Sequence, residues 1–80
     1  MAINKEERVR FDYSKLRGRI REKFEVEYIF ADKIGMSTTT LSSRFNNHTY
    51  FTGEEIYEAC NVLEISPIEL GDYFFKLQLE

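Results

Sequence analysis

The chain has 80 residues, of which 42% are apolar and 15% aromatic, a composition that supports one small folded domain and argues against disorder. One cysteine and one histidine are too few for an internal disulfide or a structural zinc site. No apolar run approaches the ~20 residues that span a bilayer. Because "MAINKEERVR" also lacks the apolar stretch of a signal peptide, we expect a cytoplasmic protein.

The charge is unevenly distributed along the chain, although the net value is only −3. Residues 1–24 contain eight Lys/Arg and four Asp/Glu, whereas residues 25–80 contain three and ten. The 21 residues from Lys33 to Gly53 contain no acid at all. A surface that approaches phosphate should exclude carboxylates, so this stretch is a candidate for contact with nucleic acid.

The first predicted helix lies within "FDYSKLRGRIREKF". Its apolar residues Leu16, Ile20 and Phe24 recur every four positions and form one stripe, while the other faces are basic. Asp12 or Ser14 is suited to cap its N-terminus.

A pair of short helices follows, over residues 27–34 and 38–45. Gly35 is placed to end the first, because glycine adopts the positive φ that a helix C-terminus requires. Ser37 is predicted to cap the second helix, in which Leu41 and Phe45 lie four apart on one face. The asparagine pair at 46–47 is predicted to end it.

Two later helices have well-marked starts. Thr52 and Glu55 match a capping box that opens a helix with Ile56, Ala59, Cys60 and Leu63 on one stripe. Ser66, Pro67 and Glu69 match a second capping box with proline at the first helical position, which predicts a helix from Pro67 to about Tyr73.

Both ends of the chain alternate between apolar and polar residues, as half-buried strands do. The apolar positions are Val9, Phe11 and Tyr13 near one end and Phe75, Leu77 and Leu79 near the other. We expect the two ends to pair as a short antiparallel β ribbon. Two readings stay open for Tyr73, Phe74 and Phe75, which either close the core or form a dimer surface.

The segment "EYIFADKIGMSTTTLSSRFNN" resembles the helix-turn-helix of the lambda-repressor-like family, through Phe30-Ala31, Gly35, Met36-Ser37, Leu41, Phe45 and Asn46. "FTGEEIYEACNVLEISPIEL" resembles the fourth and fifth helices of that family, and "FDYSKLRGRIREKF", "TLSSRFNN" and "YFF" resemble a group of small phage Cro-type repressors. The resemblance implies a mainly α fold with five helices in a single domain over residues 1–80, with the helix-turn-helix at 27–46.

By the same resemblance, the second helix of this pair reads bases in the major groove of an operator. The base-reading positions fall on Thr38, Thr39, Ser42 and Ser43, with Thr40 a less direct match. The predicted contacts with the DNA backbone are Arg44, Asn46, Asn47, His48 and Thr49, with Arg17 and Arg21 as further candidates. The sequence departs from the family at Glu27, where glutamine is frequent, and at Asn47, where many relatives have glycine.

These residues lead to the expectation of a phage Cro-type repressor that binds double-stranded operator DNA as a homodimer and is associated with the nucleoid. The alternative is a protein-interaction module, an antirepressor or adaptor, that docks on another regulator through its acidic C-terminal half. The Ser/Thr run also has a simpler interpretation, as a solvated polar face or a flexible loop. We expect no enzyme activity, cofactor, metal or small-molecule ligand, since no catalytic set of residues or phosphate-binding glycine loop is present.

Overall fold

The fold is mainly helical in a computed structural model that describes residues 9–79. Five helices lie in this range, and we number them α1 (Ser14–Phe24), α2 (Glu27–Lys33), α3 (Thr38–Phe45), α4 (Gly53–Leu63) and α5 (Leu70–Phe74). The expectation of a mainly α domain with five helices is therefore confirmed. None of the helices within residues 9–79 is long and apolar enough to cross a membrane.

Two helices, α3 and α4, begin at the side-chain caps that the sequence indicates, whereas α1 begins after Tyr13 without a side-chain cap. At α3 the Ser37 side chain accepts a hydrogen bond from the Thr40 backbone N–H at 3.1 Å. At α4 the capping box forms in both directions, between the Thr52 side chain and the Glu55 backbone and between the Glu55 side chain and the Thr52 backbone. Gly35 has φ +69 in the turn between α2 and α3, where a side chain would strain the backbone.

The last helix differs from the prediction of one helix from Pro67. Residues Pro67–Glu69 form a 3-10 turn, and α5 begins only at Leu70. The Ser66 side chain accepts from the Ile68 backbone N–H at 3.4 Å, and the Glu69 N–H donates to the Ser66 carbonyl at 2.9 Å. This three-residue spacing closes a tighter turn than an α-helix, so the second predicted capping box does not form.

The core lies where the apolar faces of the five helices meet. Ala31 is fully buried and small, which lets α2 pack closely against its neighbours. Burial of a large apolar side chain contributes about 1.5–3 kcal/mol, so this cluster is the main stabilising term. Its buried members are Tyr13, Leu16, Ile20, Phe30, Ala31, Leu41, Phe45, Ala59, Leu63, Ile65 and Phe74.

The predicted ribbon is reduced to a single antiparallel bridge between Phe11 and Leu77. Two backbone hydrogen bonds flank it, from the Asp12 N–H to the Lys76 carbonyl at 2.8 Å and from the Gln78 N–H to the Arg10 carbonyl at 2.9 Å. Toward α1 the pairing ends at Asp12, whose carboxylate accepts a hydrogen bond from the Ser14 N–H at the first residue of that helix.

The three aromatic residues near the C-terminus differ in burial, and a dimer surface stays a prediction. Phe74 is buried in the core. Phe75 is half exposed and meets Phe11 edge-on, with ring centroids 5.7 Å apart. Tyr73 is partly buried against the core, with the Lys15 ammonium 4.7 Å from its ring centroid.

Candidate interaction surfaces

The outer face of α3 carries the hydroxyl groups that the sequence singled out. Thr38, Thr39 and Ser42 are exposed, Ser43 is half-buried, and the neighbouring His48 and Thr49 are exposed in the following turn. Ser43 and Thr49 share a hydrogen bond of 3.1 Å between their hydroxyl oxygens. The face is uncharged, and contact of these residues with DNA stays a prediction.

Arg44 is bound within the protein. Its guanidinium donates to both carboxylate oxygens of Glu55, each at 2.9 Å, and to the Thr49 hydroxyl at 2.5 Å. The side chains of Arg44 and Glu55 are 14% and 21% exposed, so the ion pair is largely shielded from water. The Arg44 hydrogen bonds hold the pKa of the Glu55 carboxyl below its usual range, and those to Glu55 raise the pKa of Arg44. The pair ties α3 to α4, and a phosphate contact by Arg44 has to compete with it.

Glu27 has a similar structural role one helix earlier. Its carboxylate accepts two hydrogen bonds from Arg17, at 2.8 and 3.2 Å, and so connects α2 to α1. The Arg17 guanidinium also lies 4.6 Å from the ring centroid of Phe45. Arg21 is exposed and has no ion pair with another residue in the described range. Glu27, at which the sequence departs from the lambda-repressor-like family, therefore neutralises the charge of Arg17, one of the residues predicted to contact the DNA backbone.

The two asparagines after α3 make different contacts. Asn46 is exposed, and its amide N–H donates to the Ser42 carbonyl at 2.9 Å. Asn47 is only 7% exposed and has φ +62, the left-handed conformation that asparagine tolerates. Its amide accepts from the Phe11 N–H at 2.8 Å and donates to the Phe11 carbonyl at 3.0 Å. Asn47 therefore pairs with the N-terminal segment as a short strand would, a structural role that the sequence did not reveal.

These contacts neutralise part of the positive charge beside α3, whereas Arg10, whose guanidinium donates to the Asn46 carbonyl at 3.5 Å, has no ion pair among residues 9–79. Residues 27–53 contain two Lys/Arg, of which Arg44 is paired with Glu55 while Lys33 is exposed without an ion pair among residues 9–79. Phosphate affinity depends on unpaired cations placed along the backbone path. The acid-free stretch is thus a nearly neutral surface, although the absence of acids made it a candidate for contact with nucleic acid.

A second surface lies on the outer side of α4, within the acidic C-terminal half that the alternative function uses for docking, although the sequence predicted none of its residues individually. Glu54, Tyr57, Glu58 and Asn61 are exposed along one stripe of the helix. Between α4 and residues 65–70 there is a groove of about 330 Å³, lined mainly by apolar groups. We call the stripe and this groove together the α4 surface. The absence of Lys and Arg from residues 45–75 was the sequence signal that pointed to it.

Comparison with known proteins gives one family and one informative structure. The family model described as "Protein of unknown function (DUF739)" matches residues 9–77. The chain is also similar to the solution structure of the modulator of repression (MOR) of the temperate bacteriophage TP901-1 from Lactococcus lactis, with 40% sequence identity and a TM-score of 0.72. That match covers 81% of this chain and 88% of the MOR chain. No curated protein gives a significant match.

These matches correct the prediction drawn from resemblance. The assignment to the lambda-repressor-like family and its Cro-type group is wrong, as is the function of a DNA-binding Cro-type repressor, because the matches are to a different family and to a modulator of repression. The physical reason lies in the residues that carried the resemblance. Ala31, Leu41 and Phe45 are core residues and Gly35 forms the turn, so they report how two helices pack and not what their outer faces bind.

Proposed function

The chain belongs to the family described as "Protein of unknown function (DUF739)", and we propose that it is a protein-interaction module that modulates a phage repressor by binding to it. It is an antirepressor or an adaptor built on a helix-turn-helix scaffold. The observation that carries the proposal is the 40% identity, over 81% of this chain, with a phage modulator of repression. Identity of this extent makes a shared mode of action more plausible than a shared fold alone does.

The electrostatics of the described residues support the same proposal. Arg17 of α1 and Arg44 of α3 form ion pairs with Glu27 and Glu55. Specific and non-specific DNA binding both depend on free cations that displace counterions from phosphate, and a net charge of −3 adds repulsion. A protein partner does not require that supply of free cations.

The test uses the repressor encoded in the same genome as this chain, bound to its fluorescently labelled operator duplex. Addition of the chain should change operator occupancy, downward for an antirepressor and upward for an adaptor, and light scattering should detect a complex of the two proteins. If occupancy stays constant at a large excess of the chain and no complex forms, the proposal is wrong.

A second titration separates this function from direct DNA binding. The labelled chain is titrated with a random duplex at two salt concentrations. We expect no salt-sensitive binding in the micromolar range, in contrast to the steep salt dependence of proteins that neutralise phosphates. Salt-sensitive DNA binding together with no repressor complex would contradict the proposal.

The homodimer also stays a prediction. It was first inferred from the two-fold symmetry of a palindromic operator, and light scattering of the chain alone tests it.

A further inference from the structure

The α4 surface has exposed apolar side chains held in fixed positions. Tyr57 is 65% exposed on α4 and lines the groove. Ile68 is 94% exposed in the 3-10 turn, next to Pro67, which lines the groove from the other side. The capping box at Thr52 fixes the start of α4, and Ser66 with Pro67 fixes the turn that carries Ile68. No part of residues 9–79 covers these side chains, so they are available to a partner.

The charge around the groove specifies what kind of partner fits. The acids Glu55, Glu64 and Asp72 are neutralised by cations from elsewhere in the fold, Arg44, Lys23 and Lys15 respectively. By contrast, Glu54, Glu58 and Glu69 have no ion pair within residues 9–79. No Lys or Arg occurs from residue 45 to residue 75. Each of these three unpaired acids is next in sequence to a residue that lines the groove, namely Gly53, Tyr57 and Leu70.

We propose that the α4 surface binds a basic amphipathic helix of the repressor, whose apolar side chains enter the groove while its Lys and Arg side chains meet Glu54, Glu58 and Glu69. The inference rests on the proposed function, since the repressor is the partner. A helix is favoured because the groove beside α4 is lined mainly by apolar groups, as are the grooves that take the apolar face of an amphipathic helix in helix-in-groove complexes. A second copy of this chain is disfavoured, because a two-fold contact would bring like charges together.

The chain offers a matched control surface on α2. Tyr28 is 63% exposed, and Asp32 lies one turn further along the same helix, exposed and without an ion pair in the described range. The substitutions Tyr57→Ala and Glu58→Lys therefore have counterparts in Tyr28→Ala and Asp32→Lys, with the same chemistry and similar exposure. All four side chains are on the surface, so each variant should fold, which circular dichroism checks.

The experiment measures the affinity of each full-length variant for the repressor by fluorescence anisotropy. We expect Tyr57→Ala and Glu58→Lys each to weaken binding about tenfold, as at central interface residues, and the two α2 variants to leave it within about twofold. Binding of Glu58→Lys should also depend less on salt between about 50 and 500 mM. Unchanged affinity of both α4 variants, or loss confined to the α2 variants, would overturn the inference while leaving the proposed function intact.

Amide chemical shifts of the labelled wild-type chain provide an independent readout. On addition of the repressor, the shifts should change most at Tyr57, Asn61, Ile68 and Leu70. Changes confined to α3 or to residues 75–79 would place the interface elsewhere and overturn the inference. If the wild-type chain does not bind the repressor at all, the proposed function fails and the inference fails with it.

Discussion

At the scale of single residues, Arg44 shows how a side chain predicted for a ligand becomes part of the fold. It stands at the end of α3, where a phosphate contact was predicted, and its guanidinium is held by Glu55 and Thr49. Its side chain is 14% exposed. Removal of one partner from a shielded pair leaves the other charge without compensation, so the pair is more costly to break than a surface ion pair.

We therefore expect Arg44→Ala to lower the free energy of unfolding by about 1–3 kcal/mol at neutral pH. Urea denaturation followed by circular dichroism measures the change. Lys33→Ala is the control, since Lys33 is exposed without an ion pair in the described range, and it should change stability by less than about 0.5 kcal/mol. Equal effects of the two substitutions would mean that the ion pair contributes nothing measurable.

The same pair predicts a dependence on pH. The Arg44 hydrogen bonds lower the pKa of Glu55 below its ordinary value of 4.5 in the folded protein. A lowered folded-state pKa gives stability that is present above the unfolded value and lost as the pH falls through the folded one. The stability difference between wild type and Arg44→Ala should therefore shrink below pH 4.5. Denaturation curves of both proteins at neutral and acidic pH test this. If the stability difference does not change with pH, the ionisation of Glu55 is not its cause.

At the scale of elements, two sequence matches to a capping box have different outcomes. At α4, both hydrogen bonds of the capping box form between Thr52 and Glu55. At the 3-10 turn, the Ser66 side chain accepts one long hydrogen bond, of 3.4 Å, from the Ile68 N–H. The two sequence motifs look alike. The difference lies in the turn itself, because the Glu69 N–H donates to the Ser66 carbonyl at 2.9 Å and so closes a 3-10 turn in place of an α-helical one.

Thr52→Ala should accordingly lower the free energy of unfolding by about 1 kcal/mol, a typical value for the loss of an N-cap. Ser66→Ala should cost less, because a hydrogen bond of 3.4 Å is weak. Thermal and urea denaturation of both variants compare the two caps directly. A larger loss for Ser66→Ala would contradict the assignment of the functioning cap to α4.

At the scale of the whole molecule, the segments around Phe11 and Leu77 pair with each other and pack against the helices. The bridge between Phe11 and Leu77 lies beside Asn47, whose side chain hydrogen-bonds to the opposite edge of the Phe11 segment. An isolated pair of strands is marginal in water, so the ribbon depends on this support and on the aromatic contact between Phe11 and Phe75.

Gln78→Pro tests this arrangement, because proline removes the N–H that donates to the Arg10 carbonyl. We expect a loss of about 1 kcal/mol in the free energy of unfolding, with amide shift changes at Phe11 and Asn47. Gln78→Ala retains the backbone N–H and loses only the exposed side-chain contact with Arg10, so it should have a smaller effect. Equal losses in both variants would show that the backbone bond is unimportant.

Much of the fold was predictable because its signals are local. The bounds of α3 and α4 follow from Ser37, Thr52 and the spacing of apolar residues, all of which act within a few positions of the chain. The candidate site was less predictable, because its charges are neutralised by residues distant in sequence. Neither the pairing of Arg17 with Glu27 nor the bonds of Asn47 to Phe11 can be read from spacing.

The sequence by itself determined the five helices of residues 9–79, with an uncharged hydroxyl face on α3 and an acidic C-terminal half. These properties depend on composition, helical periodicity and caps, which operate over one or two turns. Only the tertiary structure decided which charges are free, because ion pairs form between elements brought together by the core. The tertiary structure pairs Arg44 with Glu55 and Arg17 with Glu27. It leaves Glu54, Glu58 and Glu69 unpaired within residues 9–79, each next in sequence to a residue that lines the apolar groove on α4.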